Sequence, residues 1–245
     1  MSHNSPFKRF GIEHLSPSSL NLWVAEPGLW SLRYLFRVKD ETAAAMARGI
    51  AVENAMLAIL HGKKGALEIA YTNFEENMVG EISDEIDAEK ELIKGMVGQC
   101  ELWKPPSPII ASQLRVEHWF DGVSIPVIGF IDFLFEDGLI DLKTTKAIPS
   151  APKADHCRQV ALYSTVKERP ASLLYVSAKK HACYTLGAEQ TERSLFELQS
   201  AAVSLERFLS RFIDAEDCVR CLPINRDSFR FSKAFESKLE ELHIH

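Results

Sequence analysis

The sequence predicts an α/β fold whose amino-terminal region is mainly helical. Apolar residues recur at helical spacing over much of residues 1–104. Between residues 105 and 187, short apolar runs bounded by turn signals predict strands around one helix. Residues 188–245 contain a long helical pattern and a tail. The chain has 245 residues, 46% of them hydrophobic. Because that is enough for one substantial core, we predict a single domain over residues 1–245.

The helices of the amino-terminal region have recognisable starts and faces. Ser-Pro-Ser opens a predicted helix over Ser16–Ala25. An alanine-rich pattern predicts a second helix over Thr42–Leu60, and a third follows over Ser83–Trp103. Glu53 lies in the middle of the second helix among apolar neighbours. We therefore expect this helix to be packed on several sides and the Glu53 carboxylate to point into a site.

Three prolines separate these helices from the first predicted strand, which alternates between apolar and polar residues over Ile109–Phe120. The most informative stretch follows at residues 129–163. It reads GFIDFLFEDGLIDLKTTKA, then a short basic linker, then HCRQVALY. Two apolar runs joined by a turn signal predict a hairpin, and the last segment predicts a helix.

Alternation places the charged residues of this hairpin on one side. In a strand, successive side chains point to opposite faces, so Asp132 lies opposite the core-facing Phe133. An Asp137-Gly138 pair accepts the positive φ values of a tight hairpin turn, so the chain returns directly. On the returning strand, Asp141 and Lys143 share the face that is not apolar. We expect them to lie beside Asp132.

This arrangement suits a hard divalent cation. Mg²⁺ takes oxygen ligands from one or two carboxylates, backbone carbonyls and waters, and Asp132, Asp141 and the Leu142 carbonyl meet that need. A bound cation lowers the pKa of water, while a nearby ammonium orients the nucleophile or stabilises charge developing on phosphate. We therefore predict that Asp132, Asp141 and Lys143 are the catalytic residues of a phosphodiesterase.

An acidic residue two positions before a lysine is weak support on its own. With 34 acidic residues in the chain, chance alone yields about two such pairs. The chain has two, one ending at Lys143 and one ending at Lys238 in a polar tail. Asp132, the turn and the downstream helix distinguish the first pair. The alternative interpretation is a surface hairpin with a cross-strand ion pair.

The helix predicted from about Lys153 to Lys167 places three polar side chains on one face, because residues three and four apart are neighbours on a helix surface. They are His156, Gln159 and Tyr163. His156 binds phosphate in one interpretation and is a hydrogen-bonded structural histidine in the other. A strand pair over Ser172–Leu186 and a helix over residues 189–213 complete the pattern.

The net charge of −6 does not indicate nucleic-acid binding, but clustering matters more than the sum. Basic residues surround the hairpin and the helix, and Lys146 and Arg158 are the candidates for contacting phosphates beside Lys143. Lys153 also belongs to this group, although it fits equally well with a solvated loop. We predict a basic cleft on an acidic protein.

The order Gly-x-x-Asp, Asp-x-Lys and Gln-x-x-x-Tyr resembles the PD-(D/E)xK nuclease superfamily, specifically its RecB-like exonuclease branch, which includes CRISPR-associated and phage recombination exonucleases. The segment HLSPSSLNLWVAEPGLWSLRYLF resembles the start of that branch, where Ser-x-Ser caps a helix and Pro-x-x-Trp begins the next. RGIAVENAMLAIL resembles its Gly-x-x-x-His helix, and LLYVSAKKHACYTL its later strand pair. The resemblance extends over roughly residues 12–187.

The resemblance implies a restriction-endonuclease-like core, with a central mixed sheet flanked by helices. It implies that Glu53, standing where the family has His, is a further ligand for Mg²⁺ or Mn²⁺, and that Gln159 and Tyr163 contact DNA or orient the site. The implied activity is a DNA exonuclease used in phage or bacterial recombination, repair or degradation. The alternatives are an endonuclease of the same superfamily and an inactive DNA-binding scaffold. Some relatives by resemblance are ring-shaped oligomers, so a homo-oligomer or a recombination partner protein stays open.

The cysteines argue against one feature of this branch. Several members hold an iron–sulfur cluster through one Cys near the amino terminus and three near the carboxyl terminus. The first cysteine here is Cys100, and the Cys218-x-x-Cys221 pair has no second pair in register. We expect no cluster and a reducing compartment. Without a signal peptide or a run approaching ~20 apolar residues, we expect a cytoplasmic protein without membrane contact.

Overall fold

The computed structural model describes residues 5–39, 44–78 and 83–244. The elements in these ranges, in chain order, are α1 Pro6–Arg9, α2 Pro17–Ala25, α3 Pro27–Tyr34, α4 Ala44–Leu60, α5 Ala66–Asn77, α6 Ser83–Leu102, β1 Ile109–His118, β2 Val127–Phe135, β3 Leu139–Thr144, α7 Ala154–Lys167, β4 Ala171–Val176, β5 His181–Thr185, α8 Ala188–Leu209, α9 Ala215–Arg220 and α10 Lys233–Glu241.

The predicted elements are present, with different ends in some cases. The Ser16 hydroxyl accepts the Ser19 N–H over 3.1 Å and caps α2, as Ser-Pro-Ser predicts. The helix expected from Thr42 is described from Ala44, and Thr42 lies outside the described residues. The last long helix ends earlier than predicted, at Leu209, because a tight turn follows in which Phe212 N–H donates to the Leu209 carbonyl.

The chain forms two compact units. One consists of Glu41–Arg115 and Phe130–Ala188. The five-stranded sheet has the order β1-β2-β3-β4-β5. The β2–β3 and β4–β5 pairs are antiparallel, whereas β3 and β4 run parallel and are connected through α7. This mixed sheet, with helices packed against it, confirms the predicted α/β fold with its helical amino-terminal region.

The two faces of the β2–β3 hairpin differ as alternation predicts. Phe133, Phe135, Ile140 and Leu142 belong to a buried apolar cluster with α4, α5 and α6. The opposite face is also covered, because α7 packs against β3 and β4 there. The charged residues of β3 are therefore held beneath a helix and away from bulk solvent.

The hairpin turn is confirmed, but the reason given for its glycine is wrong. Neither Asp137 nor Gly138 has φ in the left-handed region. A Cβ added at Gly138 would instead lie 2.9 Å from the Pro170 carbonyl oxygen, and the neighbouring Leu139 N–H donates to that oxygen. Glycine is needed here because the start of β4 approaches too closely for a side chain.

The second unit consists of Met1–Asp40, Val116–Gly129 and Glu189–His245. Trp30 is fully buried and stacks on Tyr34 with ring centroids 5.3 Å apart. Arg230 of the tail pairs with Glu26, at the start of α3, over 2.8 Å. In both units, the described helices lack a stretch long and apolar enough to span a bilayer. The single domain over residues 1–245 stays a prediction.

Candidate active site

A cavity of about 400 Å³ opens where β3 ends. All of its lining residues belong to the unit that contains Glu41–Arg115 and Phe130–Ala188. They come from α4, the β2–β3 hairpin, the segment after β3, the start of α7 and β4: Met46, Gly49, Ile50, Glu53, Asp132, Leu142, Lys143, Thr144, Thr145, Lys153, His156 and Tyr175.

The hairpin brings the two predicted aspartates together. Phe133 pairs with Ile140 in antiparallel register, so the next residues along the two strands, Asp132 and Asp141, face each other. The Leu142 N–H donates to Asp132 Oδ2 over 2.9 Å. Asp132 is thus anchored to the backbone of the strand that carries its partner.

Asp141 is completely buried, and its two oxygens have unequal surroundings. The Lys143 ammonium lies 2.7 Å from Oδ2 and forms an ion pair with it. Oδ1 has no hydrogen-bond partner in the part of the chain that the structure describes. Because buried carboxylate oxygens are costly to leave without a donor or cation, Oδ1 is suited to a cation ligand.

The site holds more negative than positive charge. Burial raises the pKa of Asp132 well above its ordinary value of 3.8, and the charges of Asp141 and Glu53 raise it further. Burial also raises the pKa of Glu53, and a hydrogen bond from Gln113 opposes that rise. Lys143 is the cation placed among these three carboxylates. A divalent cation would offset the excess.

Glu53 reaches this site from α4. Gly49 and Glu53 are four apart on the helix and both line the cavity, because residues at that spacing share a face. Gln113 on β1 donates its Nε2–H to Glu53 Oε1. Glu53 therefore lines the candidate site with one oxygen held by Gln113, and its role as a cation ligand stays a prediction.

Lys143 carries its charge at neutral pH. Burial lowers the pKa of Lys143, but the charges of Asp141 and Asp132 more than compensate, so that the net shift is upward. Its Nζ also donates to Gln159 Oε1 over 3.1 Å. An ammonium in this position can orient a water or stabilise a phosphate oxygen, and it is a poor general base.

Gln159 and Tyr163 form a relay behind the lysine. Gln159 Nε2 donates to Tyr163 Oη over 3.1 Å, so the i, i+4 pair lies on one face of α7, as predicted. Tyr163 is only 2% exposed, and burial, followed by the charge of Asp141, raises its pKa to about 12. The two residues support Lys143 in this structure, and their contact with DNA stays a prediction.

His156 is hydrogen-bonded within the cavity wall. Its Nδ1 lies 2.7 Å from Tyr175 Oη, which also accepts the Lys153 N–H over 3.1 Å. The Tyr175 hydroxyl can donate its own hydrogen to His156 Nδ1, and in that tautomer the proton of the neutral ring is on Nε2. Burial, followed by the charge of Lys143, lowers the pKa of His156 to about 4. The ring is therefore neutral at physiological pH.

The other predicted DNA-binding residues lie outside the cavity lining. Lys146 is exposed in the segment after β3, and Arg158 is half-buried on α7. Lys153, in contrast, lines the cavity from the position just before α7. The roles of Lys146 and Arg158 in DNA binding stay predictions.

The sequence did not point to Gln113 or Tyr175. Gln113 is one polar residue in an alternating strand, and nothing in that pattern links it to Glu53, 60 positions away. Tyr175 is the one tyrosine in the run SLLYVS, which marks it as unusual in a buried strand. The Tyr175 hydroxyl is the signal that the sequence offers for a polar contact here, since a buried tyrosine hydroxyl needs a hydrogen-bond partner.

The carboxylates are not gathered around one point. Across residues 5–39, 44–78 and 83–244, no three acidic, histidine or cysteine side chains form a ready cation cage. Each carboxylate is turned to its own donor: Glu53 to Gln113, Asp132 to Leu142 N–H and Asp141 to Lys143. Carboxylate oxygens and a strand carbonyl nevertheless suit a hard cation, and Asp141 Oδ1 has its capacity unused. The residues fit Mg²⁺ or Mn²⁺, with Leu142 as a predicted carbonyl ligand.

A second cavity, of about 500 Å³, lies along α8 in the other unit. Its lining runs from Phe196 to Arg211 and contains serines, arginines and apolar residues but no carboxylate. Since hard cations need oxygen ligands of that kind, this cavity does not compete as the candidate active site.

Comparison with known proteins identifies the family of this chain. One solved structure, described as "Crystal structure of SSO0001", matches with 14% identity over 74% of this chain and 81% of its own, at a TM-score of 0.32. That likeness is too weak to support an argument. None of the curated proteins matches. A sequence model of the PD-(D/E)XK nuclease superfamily matches residues 14–230, which include every candidate site residue. The chain belongs to the PD-(D/E)XK nuclease superfamily.

Proposed function

We propose that this chain is a Mg²⁺- or Mn²⁺-dependent DNA exonuclease acting in phage or bacterial recombination, repair or DNA degradation. Members of the superfamily generally hydrolyse nucleic-acid phosphodiester bonds and commonly use divalent metals. The observation that carries the proposal is the buried Asp141, which has Lys143 at one oxygen and an unpartnered second oxygen. An inactive scaffold has no chemical need for that pair beside Asp132 and Glu53.

In this proposal, Glu53, Asp132, Asp141 and the Leu142 carbonyl hold the cation. When bound, the cation lowers the pKa of a water and offsets charge on the phosphate. Lys143, protonated and aimed by its ion pair, donates to that water or to a phosphate oxygen. Attack of the water oxygen on phosphorus forms one P–O bond and breaks the P–O ester bond, while the water gives up a proton to solvent and the departing oxygen takes up a proton.

The DNA strand would lie along the cavity mouth beside α7. His156 offers a neutral Nε2–H to a phosphate oxygen, and the exposed Lys153 offers a positive charge. Lys146 precedes these two residues in the sequence and Arg158 follows them, and both would add positive charge for the phosphates of the strand. Gln159 hydrogen-bonds to Lys143, and Tyr163 hydrogen-bonds to Gln159. Both residues would therefore affect the DNA strand through Lys143.

A cleavage assay with three DNA substrates tests the proposal. The protein is incubated with end-labelled single-stranded, end-labelled double-stranded and circular DNA, with Mg²⁺, with Mn²⁺ or with EDTA. We expect mononucleotides released from ends only when a cation is present. Cutting of the circle would identify an endonuclease. DNA binding without any cation-dependent product would identify an inactive scaffold and overturn the catalytic assignment.

The chain offers a matched control in its second acidic-x-Lys pair. Lys143→Ala should abolish cleavage. Lys238→Ala changes a lysine in the same local sequence pattern, but that lysine belongs to α10 and pairs with Glu241. We expect Lys238→Ala to cleave at the wild-type rate. Equal activity of both variants would mean that Lys143 has no part in the chemistry.

A further inference from the structure

Gln113 has an unusual backbone for a strand residue. It lies in the middle of β1, yet its φ is 49°. Strands have negative φ, and a residue with a Cβ is disfavoured in the left-handed region because the Cβ crowds the following carbonyl. Such conformations persist when the surroundings over-determine them, and they concentrate at functional sites.

The side chain of Gln113 makes one specific contact that this backbone serves. Its Nε2 donates to Glu53 Oε1, which links the middle of β1 to the middle of α4. Gln113 is itself exposed, so burial of its side chain does not account for the strained backbone. Its hydrogen bond reaches a partly buried carboxylate in the candidate active site.

The hydrogen bond from Gln113 to one oxygen of Glu53 also orients the other oxygen. A carboxylate has two oxygens, and a donor on Oε1 sets the plane of the group while Oε2 remains for a cation. Partners that hydrogen-bond to a metal-ligating side chain fix its orientation, and their loss typically costs 10-fold to 100-fold in metal affinity. Gln113 is a hydrogen-bonding partner of this kind for Glu53.

We propose that Gln113 is a positioning residue that orients the Glu53 carboxylate for a divalent cation, and that the left-handed backbone at Gln113 aims its amide at that carboxylate. This inference rests on the proposed function, because it takes Glu53 as a cation ligand. Gln113 does not itself touch the cation or the DNA.

Two substitutions separate the effect of the backbone conformation at Gln113 from the effect of its side-chain amide. Gln113→Ala and Gln113→Gly both remove the amide, so each should lower Mn²⁺ affinity about 10-fold, the lower end of the usual range. Glycine accepts φ of 49° without a steric cost, whereas alanine does not. The metal-free Gly variant should therefore unfold about 2–4 °C above the Ala variant. Calorimetry gives both the Mn²⁺ dissociation constant and Tm.

Glu53→Gln completes the test. It should weaken Mn²⁺ binding, and adding Gln113→Ala to it should cause no further loss, because the amide acts through the carboxylate. Wild-type Mn²⁺ affinity in both Gln113 variants, with weakened binding in Glu53→Gln, would overturn the inference and leave the proposed function standing. A Gly variant no more stable than the Ala variant would overturn the backbone part. A wild-type protein that binds no Mn²⁺ would overturn both.

Discussion

Lys143 Nζ lies 2.7 Å from Asp141 Oδ2, and the carboxylate of this ion pair is completely buried. The pair is locally neutral, so Asp132 and Glu53 supply the negative charge that remains for a divalent cation. The same contact keeps Lys143 charged although it is largely removed from solvent. This residue pair thereby contributes both to the protonation of the lysine and to the charge balance of the cavity.

Removing the ammonium should destabilise the protein. Lys143→Met keeps much of the side-chain volume but leaves buried Asp141 without its counter-charge. Breaking a buried pair from one side typically costs 3–5 kcal/mol. Because the Lys143 side chain is 21% exposed, we expect about 2–3 kcal/mol, measured by denaturant unfolding in EDTA. Mn²⁺ should recover part of this loss. Wild-type stability of the variant would show that Asp141 needs no compensation.

The contribution of Asp132 to metal-free stability should fall as pH rises. The folded pKa of Asp132 is raised above 3.8, so the folded state holds its proton more tightly than the unfolded state does. The stabilisation is present below the unfolded pKa and is lost as pH rises through the folded pKa. Asp132→Asn cannot ionise and lacks this contribution, so its Tm in EDTA should increase relative to that of the wild type from pH 4 to pH 8, as thermal scans would measure. An equal pH dependence in both proteins would contradict this.

The affinity of the protein for a divalent cation should increase as pH rises. Ligating carboxylates must be deprotonated, and burial raises the pKa of Asp132 and of Glu53. Mn²⁺ binding measured by calorimetry should therefore strengthen from pH 5.5 to pH 8 and release protons. Affinity that stays constant over this range would mean that these carboxylates are not the ligands.

Gln159 should affect turnover more than DNA binding. Gln159→Leu has a similar shape but removes the acceptor for Lys143 and the donor to Tyr163. We expect kcat to fall about 10-fold, since one charge-assisted hydrogen bond contributes about 1.5 kcal/mol or more, while KM for DNA stays near wild type. A raised KM with unchanged kcat would instead identify Gln159 as a direct DNA contact.

His156 should act as a neutral hydrogen-bond donor. Its pKa is lowered to about 4, so DNA affinity should gain nothing from its protonation between pH 6 and 8. His156→Gln retains a neutral donor and should keep KM within a few-fold, whereas His156→Leu should raise KM about 10-fold. Steady-state kinetics at several pH values measure this. A wild-type affinity that rises steeply below pH 7, and does not in His156→Leu, would contradict it.

Local pattern was sufficient for the hairpin. Within each strand, odd-numbered and even-numbered residues point to opposite faces, so the positions of Phe133, Asp132, Asp141 and Lys143 follow from period-two alternation and a turn. The i, i+4 relation of Gln159 and Tyr163 follows likewise from helix geometry. These parts depend only on neighbours in the chain, and the structure agrees with them.

Local pattern was misleading where a distant segment intervenes. Gly138 was explained by turn geometry, but the approach of the Pro170 carbonyl is what excludes a side chain there. The Gln113–Glu53 and His156–Tyr175 contacts join residues 60 and 19 positions apart. The periodicity of apolar and polar residues in the sequence does not show which residues of different elements will be in contact.

The sequence by itself therefore determined the α/β elements, the shared face of Asp132, Asp141 and Lys143, and membership of the nuclease superfamily, because repeating backbone geometry converts residue order directly into side-chain direction. Only the tertiary structure decided that Asp141 is fully buried, that Gln159 supports Lys143 and that Gln113 holds Glu53. Those outcomes depend on how α4, α7 and the sheet pack, and on the desolvation and charge coupling that packing imposes on each carboxylate.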